Sequence, residues 1–326
     1  MAPRKGERKI LVTGGAGFIG SHLVEGLLEI GDEVRVLDNF SSGKRENLLG
    51  LGNGRWMPNR DFELIEGDIR DLETVRRATS GMDAVLHQAA LGSVTRSVED
   101  PMTTQAVNAD GTLTVFLAAR DNNVSRVVYA SSSSIYGDSD GLPKREGQEG
   151  FPLSPYALTK RINEDYGRLF KDLYGFETIG LRYFNVYGPR QDPESQYAAV
   201  IPRFAKALIL GRRPIIFGSG EQSRDFTYVK DVVEANLRGL EARPEACGIG
   251  YNIGKGDRTT VLHLLTTIQE LLQIRIEPRH DPPRPGDVMH SLADTSLAAK
   301  MLDFTARYDL RDGLNQSMVW YRQNLV

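Results

Sequence analysis

Cysteine is nearly missing. The 326 residues contain one, Cys247, so no intrachain disulfide and no cysteine-based zinc site can form. Histidine is scarce as well: His22, His87, His263, His280 and His290 are the full set, none at metal-ligand spacing from another, and no metal site is expected. No stretch approaches ~18 uninterrupted apolar residues, so no membrane span is expected. Charge of one sign is also lacking, with 40 Lys and Arg against 43 Asp and Glu and a net charge of −3. That balance argues against attraction to nucleic acid or a membrane surface. The opening MAPRKGERK is basic, but no long apolar region follows, and it reads as a frayed tail rather than a secretion signal. A cytoplasmic, reducing setting fits these features. Internal repeats and low-complexity segments are absent.

What is present is an alternation. KILVT (9–13), EVRVLD (33–38), FELIEGD (62–68), DAVLHQAA (83–90) and RVVYASSSS (126–134) read as strands, the third and fourth as buried runs. Helical patterns lie between and after them, notably over 71–79, 100–120 and 156–174. Strand, helix, strand, helix implies a parallel sheet covered on both faces, and right-handed crossovers make it doubly wound. The second half is less regular, with Pro and Gly clusters at 188–193, 211–220, 244–256 and 278–286 and brief strands near 214–217 and 250–253. We expect an α/β domain over 1–185 and a smaller α/β lobe over 186–326 on the C-terminal edge of the sheet. The lobe's chain has room to cross back into the first domain.

GGAGFIG (14–20) directly follows the first strand and opens a helix, the context that gives a glycine pattern meaning. Gly14 suits the tight turn, Gly17 lets backbone approach a pyrophosphate, and Gly20 lets helix and strand pack closely. The helix N-terminus offers amide donors and a favourable dipole to the anion. Asp38 ends the second strand, 18 residues after Gly20. An acid there accepts hydrogen bonds from both adenosine-ribose hydroxyls and repels a 2′-phosphate, which predicts NAD rather than NADP. Asp68 and Ile69 end the next strand and border the adenine.

SPYALTK (154–160) places Tyr156 and Lys160 four residues apart, behind a proline suited to a first helical turn. A phenol with a reference pKa of ~10 is a poor base at neutral pH. A fixed ammonium favours the phenolate, and a positive nicotinamide ring adds to it. A shift of ~3 units corresponds to ~4 kcal/mol. The strand ending in Ser131 to Ser134 brings a hydroxyl beside the same phenol, and Ser132 is best placed to share the proton.

The order GGAGFIG, Asp38, GDIRD, HQAA, SSSSIYG, SPYALTK, LRYFNVYGPRQ resembles the extended short-chain dehydrogenase/reductase superfamily over essentially the whole chain. YAAVIPRF, GSGEQSRDFTYVKD and RPGDVMHSLAD resemble its nucleotide-sugar branch, nearest to the bacterial UDP-N-acetylglucosamine 4-epimerase group. The resemblance implies a Rossmann domain with a nucleotide-sugar lobe and a tightly held NAD. It makes Ser132, Tyr156 and Lys160 the catalytic set. It implies NAD contacts from Gly14, Gly17, Phe18, Ile19, Asp38, Asn39, Asp68, Ile69, Gln88, Ala89, Asn108 and Tyr183, besides Tyr156 and Lys160. On the substrate side it implies Arg224 and Arg284 for the diphosphate, Asn185 facing the substrate, Asp287 near the uridine ribose, and Ser291 gating the sugar. Gly92, Ser93, Ser132 and Ser134 are further candidates there. A UDP-sugar is the implied small-molecule partner, and a homodimer through helices 100–120 and 156–174 is implied as well.

Sugar-nucleotide 4,6-dehydratases of this branch follow the catalytic hydroxyl with an Asp-Glu pair. Here Ser133 and Ser134 follow Ser132, and neither can perform the elimination. Serine at 291 leaves volume for a 2-acetamido group where a tyrosine would not. The expected reaction is 4-epimerisation of UDP-GlcNAc and UDP-GalNAc, with UDP-glucose, a UDP-N-acetyl-hexosaminuronic acid, decarboxylation and a non-enzymatic dinucleotide sensor as the competing readings.

Overall fold

The structure is a computed structural model that describes residues 5–195, 198–283 and 289–325. Its first half runs β1 (Lys9–Thr13), α1 (Phe18–Glu29), β2 (Glu33–Asp38), a short α2 (Glu46–Leu49), β3 (Glu63–Glu66), α3 (Leu72–Thr79) and β4 (Ala84–His87). There follow α4 (Val94–Glu99), α5 (Pro101–Gln105), a π-turn over Ala106–Asp110, α6 (Gly111–Asp121), β5 (Arg126–Ser132), α7 (Pro155–Tyr174) and β6 (Glu177–Tyr183). The second half holds β7 (Val186–Tyr187), α8 (Val200–Ile209), β8 (Ile215–Phe217), β9 (Ser223–Arg224), β10 (Thr227–Tyr228), α9 (Val229–Glu241) and β11 (Ile249–Ile253). It ends with β12 (Thr259–Thr260), α10 (Val261–Leu272), β13 (Arg279–Asp281), α11 (Ser296–Leu302) and α12 (Leu310–Asn324).

Seven parallel strands form the central sheet in the order β11-β6-β5-β4-β1-β2-β3. Ile10, Leu11 and Val12 of β1 are completely buried, as a strand with helices on both faces requires. One core layer packs Leu23, Val24 and Leu27 of α1 with Val232 and Ala235 of α9 and Leu302 of α11 against the sheet. The opposite layer contains Val75 of α3, Val115 and Phe116 of α6, and Phe170 of α7. A separate core of α8, α10 and α12 holds the second lobe together, with Phe204, Leu264, Leu265 and Leu314 inside. The doubly wound sheet and the smaller lobe are as expected.

Two details differ from the sequence reading, the third strand and the end of the fifth. FELIEGD is not a buried run: β3 is the sheet edge, and Glu63 and Glu66 are exposed. The helical stretch 100–120 is as expected: it runs without interruption from Pro101, where Asp100 caps it by accepting from the Thr103 N–H at 3.0 Å, to Asp121, with the π-turn over Ala106–Asp110 inside it. The fifth strand stops at Ser132, where a 3₁₀ turn over Ser133–Tyr136 begins. The crossing back that the sequence reading allowed for is present: β11 becomes the seventh strand beside β6, and α9 lies on α1. Gly26 of α1 permits that approach, since a Cβ there would meet Val233 at 2.9 Å.

Candidate active site

The C-terminal ends of the parallel strands open into a cleft, the usual ligand position in such sheets. Gly14 takes φ +68° at the end of β1, and a Cβ there would lie 2.6 Å from the Ala89 nitrogen. A Cβ on Gly20 would stand 2.0 Å from the Gly14 carbonyl oxygen, so the α1–β1 approach depends on that glycine. The cradle formed with Gly17, Phe18 and Ile19 lines a cavity of about 520 Å³. Asp38 is buried at its rim, and its two carboxylate oxygens accept from the Ala16 N–H at 2.9 Å and the Phe40 N–H at 2.8 Å. Burial raises its pKa while these two bonds lower it. Asp68 is paired with Arg70 and accepts from the Asn39 amide at 3.0 Å; chiefly through Arg70 its pKa falls to about 2.

Gln88, Ala89, Asp68, Ile69, Asn39 and Tyr183 line the same cavity. Tyr183 donates to Gln88 Oε1 at 3.2 Å and accepts from the Asn236 amide at 2.9 Å, which fixes both side chains at the cleft floor. Asn108 is the exception. It is completely buried in the π-turn and absent from the cavity lining; its side chain accepts from the Leu91 N–H at 2.7 Å and donates to the Leu91 carbonyl at 3.2 Å. Its place is behind the Leu91–Ser93 wall, holding that wall in position rather than forming it.

Ser154 caps α7 by accepting from the Ala157 N–H at 3.1 Å, and Pro155 occupies the first turn, so Tyr156 leaves the helix start facing β5. Lys160 donates to the Ala130 carbonyl at 2.8 Å, and its Nζ lies 5.9 Å from the Tyr156 ring centre. Ser132 stands beside the Tyr156 phenol, whose pKa it lowers, and is hydrogen-bonded to Ser134, Oγ to Oγ at 3.1 Å. The three expected catalytic residues therefore meet. Their electrostatics differ from expectation. Burial raises the Tyr156 pKa, Ser132 only partly opposing it, and burial lowers that of Lys160 to about 8 against the attraction of Glu164. The protein alone holds the phenol neutral.

A second cavity, of about 840 Å³, adjoins the first at Gly92, Ser93, Tyr156, Asn185 and Gln191. Ser134 and Arg224 line it, as does Arg203, whose guanidinium lies 5.3 Å from the Phe217 ring centre. Asn185 has a positive φ of 31° and donates to the Asp225 carbonyl at 2.9 Å. The Asp225 carboxylate, completely buried, accepts from the N–H groups of Lys255, Gly256 and Ala293, joining three segments of this wall. Ser291 is buried behind it, its N–H bonded to the Ser223 carbonyl at 3.0 Å, and does not reach the lining. Arg284 and Asp287 lie outside the described residues.

Some lining residues were not singled out from sequence. Gln191 borders both cavities; its Nε2 donates to the Val186 carbonyl at 3.1 Å, while its buried Oε1 has no partner among the described residues. It ends LRYFNVYGPRQ, which was the available signal. Lys44, Asp192 and Arg190 line the first cavity, Arg190 paired to Glu25. The glycine cradle and the unused Gln191 acceptor fit a dinucleotide with its reactive end at Tyr156. Among the described residues no group of His, Cys, Asp and Glu is arranged to hold a metal, and no helix is long and apolar enough to cross a membrane.

The NAD dependent epimerase/dehydratase family matches residues 10–254. A putative UDP-glucose 4-epimerase of Methanocaldococcus jannaschii is 38% identical over 97% of this chain and 99% of its own. The solved UDP-N-acetylglucosamine 4-epimerase of Methanobrevibacter ruminantium M1, in complex with UDP-N-acetylmuramic acid, is 38% identical; the match covers 98% of this chain and 99% of that one, with a TM-score of 0.91. The UDP-glucose 4-epimerase of Thermotoga maritima, solved with UDP-glucose, is also 38% identical, with coverage of 98% and 100% and a TM-score of 0.90.

Proposed function

The chain belongs to the NAD dependent epimerase/dehydratase family, and from that premise we propose that it interconverts UDP-N-acetylglucosamine and UDP-N-acetylgalactosamine by inversion at carbon 4. The observation that carries this reading is the position of Tyr156 between the two cavities, with no Asp or Glu among the described residues lining the second. A phenol with a neighbouring ammonium can move a proton, but elimination of water needs a further acid and base that this wall does not offer.

The Gly14–Gly20 cradle and Asp38 would hold NAD, which when bound would supply reversible hydride acceptance for sugar carbon 4 and a positive charge near the phenol. Tyr156 takes the proton of the 4-hydroxyl as the 4-keto sugar forms and returns it as the epimeric alcohol forms. Ser132 shares that proton. Lys160, anchored on Ala130, stabilises the phenolate and orients the cofactor ribose. Proton and hydride both return, so the reaction is redox-neutral.

Gly92, Ser93 and Ser134 support the acetamido preference, because they are small and line the second cavity, and the two serines offer hydroxyls. Open space surrounds the missing Cβ of Gly92. A polar contact to the acetamide discriminates more strongly than volume alone. Arg224 and Arg284 are the proposed diphosphate contacts, Asp287 the proposed ribose contact, and Ser291 the proposed gate acting through Ser223 and Arg224. The reading includes a cytoplasmic homodimer, supported by exposed Leu158, Leu169 and Leu173 on α7 beside Val98 and Met102 of α4 and α5.

The test is a product assay on purified protein with UDP-GlcNAc, UDP-glucose and UDP-GlcNAcA in separate tubes, without added reductant, read by NMR of the anomeric protons. A galacto epimer from UDP-GlcNAc at the highest rate, with no net NADH, is the expected result. Preference for either other sugar would move the substrate assignment; a lasting keto or decarboxylated product would move the reaction.

A further inference from the structure

Three consecutive residues of β5 each meet one residue of a single stripe of α7. The Ala130 carbonyl accepts from Lys160, Ser131 Oγ donates to Glu164 Oε1, and Ser132 stands beside the Tyr156 phenol, lowering its pKa. Residues 156, 160 and 164 recur at four-residue intervals and so share one helix face. The outer member of this stripe has no part in the chemistry described above, yet it is the most heavily fastened. Arg182 of β6 donates to Glu164 through Nε, at 3.0 and 3.2 Å to the two oxygens, and through Nη2 at 2.7 Å. The Glu164 side chain is 10% exposed and that of Arg182 7%. On the far side the carboxylate rests on Gly250 of β11, where a Cβ would stand 2.7 Å from Oε2. Four elements thus surround one carboxylate with a cavity shaped for it.

We infer that Glu164 is the positioning residue of the Tyr156–Lys160 pair, locking α7 in register on β5 and providing the buried negative charge that acts on the Lys160 ammonium. The inference rests on the assignment of Tyr156 and Lys160 to proton transfer. Other titratable groups on the elements packed around the pair are His87 on β4, Tyr129 on β5, Arg182 and Tyr183 on β6, Asp165 on α7, and Tyr136, Glu146 and Glu149 beyond Arg182. Burial keeps His87 and Tyr129 neutral, and Arg182 is shared between Glu164 and Glu149. Glu164 is the acidic group that opposes the loss of the Lys160 proton. Its removal therefore acts on Lys160 even though the two side chains are not bonded.

The experiment follows the Lys160 13Cε resonance by NMR titration of the NAD-bound protein, assigned with Lys160→Met, in wild type, Glu164→Gln and Glu164→Asp. Glu164→Gln keeps an acceptor for Ser131 but removes the charge. Its Lys160 midpoint is expected about 1 unit lower, and the descending high-pH limb of turnover should move down with it. Glu164→Asp, which keeps the charge, is expected to restore the midpoint. An unchanged midpoint in Glu164→Gln, with lower thermal stability alone, would reduce Glu164 to a structural residue and overturn the inference. Should Glu164→Gln fail to fold because Arg182 is left partly unpaired, Glu164→Gln/Arg182→Met is compared with Arg182→Met alone, and the Lys160 midpoint of the double variant must be the lower of the two. The titration needs no turnover, so a wild type inactive on every UDP-sugar would defeat the proposed reaction while leaving this test intact.

Discussion

Lys44 and Asp192 form an ion pair at 2.9 Å between the loop that follows β2 and the segment that follows β7, and both line the dinucleotide cavity. The Lys44 N–H also donates to the Ala16 carbonyl in the glycine loop, at 3.0 Å. The pair thus fastens the mouth of the cleft from both sides. A redox-neutral enzyme has no need to exchange its NAD, and a fastened mouth serves retention. Both side chains are partly exposed, 47% and 31%, so the pair contributes little to folding. Exposed pairs are worth about 0.2–1 kcal/mol. Lys44→Ala is therefore expected to speed exchange of labelled NAD by a factor of about 1.5–5 without changing Tm. High salt should narrow the difference from wild type. Equal exchange rates at low salt would show that the pair does not guard the cleft.

Tyr156→Phe removes one oxygen from a residue whose ring and helix position stay unchanged. The variant should fold, retain NAD and lose turnover by at least about a hundredfold, in keeping with the usual contribution of a general base. Normal turnover would exclude Tyr156 as the proton carrier. NAD content, measured after desalting, separates a chemical defect from a binding one.

The depressed Lys160 pKa makes a claim about stability. The group titrates near 8 when folded and at 10.5 in the unfolded reference, so between those values the unfolded chain binds more protons. Its contribution to stability is complete above pH 10.5 and is lost as pH falls through about 8. For this 3% exposed side chain the shift corresponds to about 3 kcal/mol. Urea unfolding of NAD-free wild type and Lys160→Met should show the gap between them moving by about that amount in favour of wild type from about pH 7 to about pH 10.5. A constant gap would mean that Lys160 is not buried as an ammonium.

Much of this was readable from local pattern. The β1–α1 unit, the glycine loop, Asp38 and the Tyr156–Lys160 spacing each lie within one short segment, where periodicity and turn chemistry act directly. What was not readable depends on partners far along the chain. β11 looks like a brief strand in a loop-rich half, and only its pairing with β6 makes it part of the central sheet. Glu63 and Glu66 end on the edge because no strand follows β3 outward, a matter of strand order. Asn108 has the residue type of a ligand contact, but the π-turn buries it against Leu91. Likewise the sign of the Tyr156 shift turns on desolvation, which spacing does not encode.

Ser291→Tyr examines the proposed gate. Position 291 is buried, with its N–H on the carbonyl of Ser223 next to Arg224, so a phenol there overpacks the segment beside that cavity residue. Overpacking of this kind costs about 1–3 kcal/mol. The expected result is a lower Tm together with selective loss of acetamido substrates. Equal loss for acetamido and plain sugars would leave the crowding real but the gate refuted.

Gln191 offers the sharpest test of where the substrate lies. The orientation of its amide is fixed by chemistry: Nε2 faces the Val186 carbonyl at 3.1 Å, and the flipped form would set two oxygens against each other. Oε1 is therefore an acceptor with no donor among the described residues, buried between the first and second cavities. A buried acceptor without a partner costs about 1–3 kcal/mol, and a ligand hydroxyl or amide N–H placed there recovers it. Gln191→Leu removes the acceptor at similar length. It should leave protein stability unchanged or slightly higher and raise KM for the UDP-sugar about tenfold, with NAD content unaltered. Gln191→Glu should do worse on both counts, because its carboxylate would face the Val186 carbonyl. If Gln191→Leu instead releases NAD and spares KM, the acceptor serves the cofactor, and the sugar sits farther toward Ser93 and Arg224.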